Sequence, residues 1–242
     1  MCAVLETLSM LGRETARIVL HAACVVCDRE LPWRERKASC CAACWSALPK
    51  ITGAECDSCA MPWSAGGEGF RCIRCLDDPL PVGWTEAWGH YRGSLERLLH
   101  AFKFERHDFL DAPLAELLES VVQSRDVDFD AIVPVPMHRS KLRQRGYNQA
   151  ELLGRALGRR LGIRCEPSML RKGIERSAQS TLARSDRAAN VRGVFATSAS
   201  VRERSILIVD DVCTTAETLR ACAHALLSGN ASRVCAVIVA KA

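Results

Sequence analysis

Eight cysteines arranged as four CxxC pairs constrain this chain more than any other feature: Cys24 and Cys27, Cys41 and Cys44, Cys56 and Cys59, Cys72 and Cys75. Thirteen, eleven and twelve residues separate successive pairs. A CxxC turn brings two thiolates within reach of one tetrahedral zinc ion, at about 2.3 Å, and two such knuckles close its shell without water. A closed shell is structural rather than catalytic. The spacers "DRELPWRERKAS" and "AMPWSAGGEGFR" are too polar and glycine-rich to fold unaided. The spacing therefore predicts one zinc per consecutive tetrad, each tetrad a short hairpin ribbon. Crossed pairing is the alternative, and Cys40 could replace Cys41 only by breaking the CxxC spacing. Buried free thiols or an iron–sulfur cluster are the competing readings, although cluster ligation usually groups three cysteines more tightly.

Metal rather than disulfide follows from the setting. The opening stretch, expected as an amphipathic helix over 1–23, has Glu6, Arg13, Glu14 and Arg17 interrupting what an export signal needs as a continuous apolar segment. No run of eighteen apolar residues suits a membrane span. A cytoplasmic, reducing compartment is expected, where dense cysteines point to metal. Pro79, Pro81 and Gly83 mark a linker. The expected organisation is thus a helix at 1–23, a double zinc ribbon with its linker at 24–83, and a larger domain at 84–242.

Charge separates the same regions. Residues 1–83 carry nine Lys and Arg against ten Asp and Glu, whereas 138–193 carry fourteen against four. The ribbons are therefore not basic, and packing or protein contact suits them better than nucleic acid. The basic stretch should concentrate anionic ligands such as phosphate esters, pyrophosphate or nucleic acid.

From Trp84 onward strand-like runs alternate with helical patterns. "WTEAWGHY", "DAIVPVP", "SILIVDD" and "RVCAVIVAKA" read as strands. "SLERLLHAFKF", "APLAELLESVV", "YNQAELLGRALGRRLG" and "TAETLRACAHALLSGN" read as helices, the third with Ala150, Leu153, Leu157 and Leu161 on one face. Strand and helix in alternation imply parallel pairing through right-handed crossovers, an α/β fold. Phe102, Phe104 and Phe109 read as core. Cys165, Cys213, Cys222 and Cys235 read as small buried apolar residues.

Ligands of such sheets bind beyond the carboxyl ends of the strands. After Val135 the chain exits into His138, Arg139, Lys141, Arg143 and Arg145. After Val209 it exits into "DDVCTTAETL". A helix beginning near Thr215 would offer unpaired N–H groups to a phosphate, with hydroxyls of Thr214, Thr215 and Thr218 beside it. Asp210 and Asp211 could accept hydrogen bonds from vicinal sugar hydroxyls or hold a divalent ion.

"ILIVDDVCTTAETL" resembles the phosphoribosyl pyrophosphate motif of type I phosphoribosyltransferases. The order of cysteine ribbons, "FKF", "HRSKLRQRGYNQAELL", the arginine-rich "RKGIERSAQSTLARSDRAANVRGVF" and the closing strand resembles the ComF family, which is linked to DNA uptake in competent bacteria. The resemblance implies a parallel-sheet phosphoribosyltransferase-like domain behind the zinc ribbons. It implies that Asp210 and Asp211 hold ribose hydroxyls, and that Thr214, Thr215 and Thr218, with backbone amides near Ala216 and Glu217, hold the 5′-phosphate. Arg139, Lys141, Arg143, Arg145 and Lys103 would face pyrophosphate with magnesium. Arg171, Arg176, Gln179, Arg187 and Asn190 would belong to a loop that closes over the substrate. Single-stranded DNA and proteins of the uptake machinery are the further partners it implies. One residue departs from the family pattern: Ala216 stands where a glycine is usual, and matters only if the backbone there needs φ > 0.

Overall fold

The computed structural model describes residues 23–32, 39–63, 70–105, 107–125, 127–172 and 195–242. The expected helix over 1–23, all but Ala23, lies outside these residues, as do Arg176, Gln179, Arg187 and Asn190.

Four strands form one parallel sheet in the order β3 (Thr85–His90), β8 (Arg233–Lys241), β7 (Ser205–Cys213), β4 (Ala131–Pro134). The central runs "ILIV" and "VCAVIVA" are continuously apolar because both faces of the sheet are covered. On one face, Leu207, Val209, Val237 and Val239 pack against α3 (Gly93–Phe104), α4 (Asp111–Val122) and α6 (Gln149–Leu161). On the other, Ile206, Ile208, Ala236 and Ile238 meet α7 (Glu217–Ser228). The short α5 (Arg139–Arg145) follows β4. Beyond α6, β5 (Leu170–Lys172) pairs antiparallel with β6 (Phe195–Thr197).

The cysteine segment is built from very short elements. Cys41 and Cys72 each stand at the N-cap of a five-residue helix, α1 (Ala42–Ser46) and α2 (Ile73–Asp77). Strands β1 (Ala54–Glu55) and β2 (Pro62–Trp63) pair antiparallel as the hairpin of the second tetrad. The segment straddles the sheet edge. Cys24, Cys41 and Leu48 share an apolar cluster with Leu95, Leu98 and Phe102 of α3. Ile51, Cys56, Cys59 and Cys75 share one with Ala87 and α7. Between them, residues 49–51 run along β3, with Ile51 N donating to Trp88 O at 3.1 Å and His90 N to Pro49 O at 2.8 Å. This covers an edge strand that would otherwise expose unpaired amides. Gly89 permits the approach, since a Cβ there would lie 2.8 Å from the Pro49 carbonyl oxygen.

Candidate functional site

Two sulfur clusters and one polar cavity are the candidate centres. Cys24, Cys27, Cys41 and Cys44 form the first cluster and Cys56, Cys59, Cys72 and Cys75 the second, the four sulfurs of each lying within 4.8 Å of one another. Consecutive pairing is therefore what the fold adopts. Cys27 and Cys41 sulfurs are 3.8 Å apart and Cys59 and Cys72 sulfurs 3.7 Å, close to the edge of a tetrahedron with ~2.3 Å metal–sulfur bonds. Backbone amides of Cys41 and Cys72 donate to Cys24 and Cys56 sulfurs at 3.3 Å, as anionic thiolates require. Each cluster could hold a zinc ion. Cys40 is not among these ligands. Its sulfur faces the Cys41 carbonyl, and burial, then the neighbouring Cys24, push its thiol pKa up.

The polar cavity, about 260 Å³, opens at the carboxyl ends of β4 and β7. Asp210 and Asp211 do not terminate a strand, as "SILIVDD" suggested; β7 continues to Cys213. Strand alternation sends successive side chains to opposite faces, which separates the two carboxylates. Asp211, 7 % exposed, turns to the α3 face and meets Lys103 Nζ at 3.1 Å. Asp210 turns to the α7 side and accepts from Asp211 N at 2.9 Å. Burial, then the charge of Asp211, push the Asp210 carboxyl up to about 8.

Lys103, His138, Lys141, Arg145 and Thr218 line this cavity with the two aspartates. His138 caps α5, its Nδ1 accepting from Ser140 N at 3.3 Å. Arg145 donates to Gln149 Oε1 at 3.0 Å, and Gln149 Nε2 donates to the backbone carbonyl of Lys103 at 3.3 Å, so one chain of contacts ties the Arg145 side chain to the end of α3. Arg139 and Arg143, expected on the same loop, are exposed and do not line it. Lys172, Asn148 and Gln149 line it without having been singled out in the sequence. Only their exit from strand ends or helix caps marked them, a signal too common to choose by.

The threonines divide. Thr218 faces the carboxylate cavity, whereas Thr214, Thr215 and Glu217 line a second cavity of about 260 Å³ with Arg74 and Cys59, Cys72 and Cys75. The helix begins at Glu217, two residues past Thr215, with Ala216 at its N-cap in a conformation of φ 64° and ψ 6°. That left-handed conformation costs an L-residue about 1–2 kcal/mol, so the missing glycine is a real strain. Glu217 is exposed, 3.9 Å from Arg220 Nε. Arg220 in turn donates to Asp78 Oδ1 and Pro79 O at 2.9 Å and to Asp78 O at 2.8 Å, tying α7 to the cysteine segment. Lys241, 3 % exposed, donates to the carbonyls of Cys213 and Thr214 and braces the loop from β8. A lysine closing an apolar strand was its only trace in the sequence.

The phosphoribosyl transferase domain family matches residues 149–242. DNA utilization protein YhgH of Salmonella typhi is 32% identical over 184 residues, covering 74% of this chain and 80% of that protein. Competence protein F of Haemophilus influenzae is 34% identical over 157 residues, covering 62% and 69%. The chain belongs to the ComF family. A third ComF-type relative, competence protein ComFC of Bacillus subtilis, is 28% identical over 236 residues, covering 87% and 91%. The ComF chain described here is a mixed α/β protein with a phosphoribosyltransferase-type parallel sheet and a cysteine-rich N-terminal region. Among the described residues, no helix is long and apolar enough to cross a membrane.

Proposed function

We propose that this chain is a phosphoribosyltransferase-like protein that binds phosphoribosyl pyrophosphate with magnesium, and that it works in the cytoplasm in DNA uptake and natural transformation. One observation carries the reading: Asp210, Asp211 and Thr218 share a single cavity with Lys103, Lys141 and Arg145. A phosphorylated sugar bearing pyrophosphate has the complementary chemistry, hydroxyls that donate to carboxylates and phosphates that accept from ammonium, guanidinium and hydroxyl groups. The domain match over residues 149–242 supports the ligand, and the competence names of the relatives support the setting.

Two carboxylates lining one cavity suit a hard divalent cation once both are ionised, so the cation competes with the proton that burial holds on Asp210. Asp210 and Asp211 would hold magnesium, which when bound neutralises charge on departing pyrophosphate. Lys103 then exchanges its contact with Asp211 for the pyrophosphate end, alongside Lys141 and Arg145. Lys241 and Arg220 keep the Thr214–Thr218 turn in place. In the same reading residues 24–83 form a structural module with a zinc ion in each tetrad, and residues 84–242 carry the ligand.

Pyrophosphate release from phosphoribosyl pyrophosphate, measured with magnesium and candidate acceptors, tests the enzyme. Asp210→Asn with Asp211→Asn should reduce turnover on the order of 100-fold or more. Thermal stabilisation by the ligand without turnover would make it a binder only. The exposed Arg139 and Arg143, outside the cavity, favour a second reading, a non-catalytic accessory protein that tracks the phosphates of single-stranded DNA. No stabilisation by the ligand in the wild type would leave that second reading standing alone.

A further inference from the structure

The end of α3 carries a feature that the carboxylate cavity does not use. Phe104 is 58% exposed, although Phe102, two positions earlier, is fully buried, so the core expected of all three nearby phenylalanines holds only for Phe102 and Phe109. The guanidinium of Arg145 lies over the Phe104 ring, 4.6 Å from its centroid, and the His100 ring tilts against it at 4.9 Å. Lys103, Phe104, Lys141, Gln144, Arg145 and Tyr147 line a cavity of about 240 Å³ around this ring. It shares Lys103, Lys141 and Arg145 with the carboxylate cavity, so the two open side by side. Every charged residue that lines it is basic.

An exposed aromatic ring beside cations, in a cleft smaller than a drug-sized site, matches one ligand unit: a planar base with a phosphate attached. Such rings accept any base, because every base has a π-face, while neighbouring cations take the phosphate. We infer that this cleft is a nucleotide subsite in which a base stacks on the side of the Phe104 ring that Arg145 leaves exposed, and its phosphate lies against Lys141 and Arg145. The Gln144 amide offers a donor and an acceptor to the base edge. A free nucleotide and a single-stranded nucleic acid present the same unit. The inference extends the phosphoribosyl pyrophosphate reading without depending on it.

The test uses the full chain and two probes, thymidine monophosphate by calorimetry and a short fluorescein-labelled oligothymidylate by anisotropy across a salt series. Phe104→Ala should weaken binding roughly tenfold, within the range of lost base stacking, and leave the salt slope unchanged. Phe104→Trp should retain affinity. Lys141→Ala should lower the slope for the oligonucleotide by about 0.7. Phe104-dependent binding of the monophosphate assigns the cleft to free nucleotides; such binding of the oligonucleotide alone assigns it to a strand. Wild-type affinity in Phe104→Ala, or no binding of either probe by the wild type, overturns the inference. Stabilisation by phosphoribosyl pyrophosphate should survive Phe104→Ala and vanish in Asp211→Asn. If the wild type shows no such stabilisation while Phe104-dependent binding stands, the proposed function falls and the subsite remains.

Discussion

The two cysteine tetrads are near copies in spacing and opposite in surroundings. The first buries Cys24 and Cys41 among Leu48, Leu95, Leu98 and Phe102, on the sheet face covered by α3, α4 and α6. The second packs on the α7 face, and Cys59, Cys72 and Cys75 line a cavity with Thr214, Thr215, Arg220 and Lys241. Identical ligand chemistry therefore serves as a foundation on one side and as a wall of the threonine turn on the other. The difference comes from the edge strand: residues 49–51 cover β3, and the chain crosses from one face to the other as it passes.

The largest effect should come from removing a cluster. Structural zinc in small ribbons contributes ~10–16 kcal/mol at neutral pH, comparable to the ~5–15 kcal/mol stability of a whole domain. Cys24→Ser and Cys56→Ser should each lose zinc and lower the Tm by about ten degrees or more. They should differ in one respect, read by calorimetric titration with phosphoribosyl pyrophosphate. Cys56→Ser should lose ligand affinity well beyond Cys24→Ser, and equal losses would erase the distinction between the tetrads.

A smaller effect distinguishes the faces by pH. Asp210, on the α7 side, is raised to about 8 by burial and Asp211, against about 3.9 in the unfolded chain. The folded state then binds the extra proton between those values. Its contribution to stability is complete below about pH 4 and is lost as the pH rises through about 8. Scanning calorimetry of the ligand-free protein should show Tm falling over that window, with a shallower fall in Asp210→Asn. An unaltered slope in that variant would remove Asp210 as the source.

Smallest is the turn itself. Ala216, also in the α7-side cluster, sits at φ 64°. Ala216→Gly should stabilise the chain by about 1 kcal/mol, or roughly 2–4 °C in Tm. A lower Tm would mean that the alanine methyl contributes more to packing than its backbone costs.

Much of the fold was legible in the residues. Apolar runs of strand length alternating with helical periodicity indicated a parallel sheet, and all four strands expected there form it. The CxxC spacing anticipated the two clusters, because a tight turn places its own two sulfurs with no help from distant contacts. The site was legible only as a neighbourhood. "SILIVDD" does not reveal that β7 runs on to Cys213, and that extension assigns Asp210 and Asp211 to opposite faces. Nor does composition separate Phe102 from Phe104, whose burial differs because one faces the sheet and the other the end of α3.

By itself, then, the sequence determined what local chemistry can enforce: paired thiolates, the period of each helix and strand, and acids and bases at strand exits. Tertiary structure alone decided which of these meet. It brought Lys103 to Asp211, divided Thr218 from Thr214 and Thr215, and set Lys241 beneath the turn. Such contacts join residues far apart in the chain, and their geometry depends on how the sheet twists, ends and is covered, which no short stretch of residues encodes.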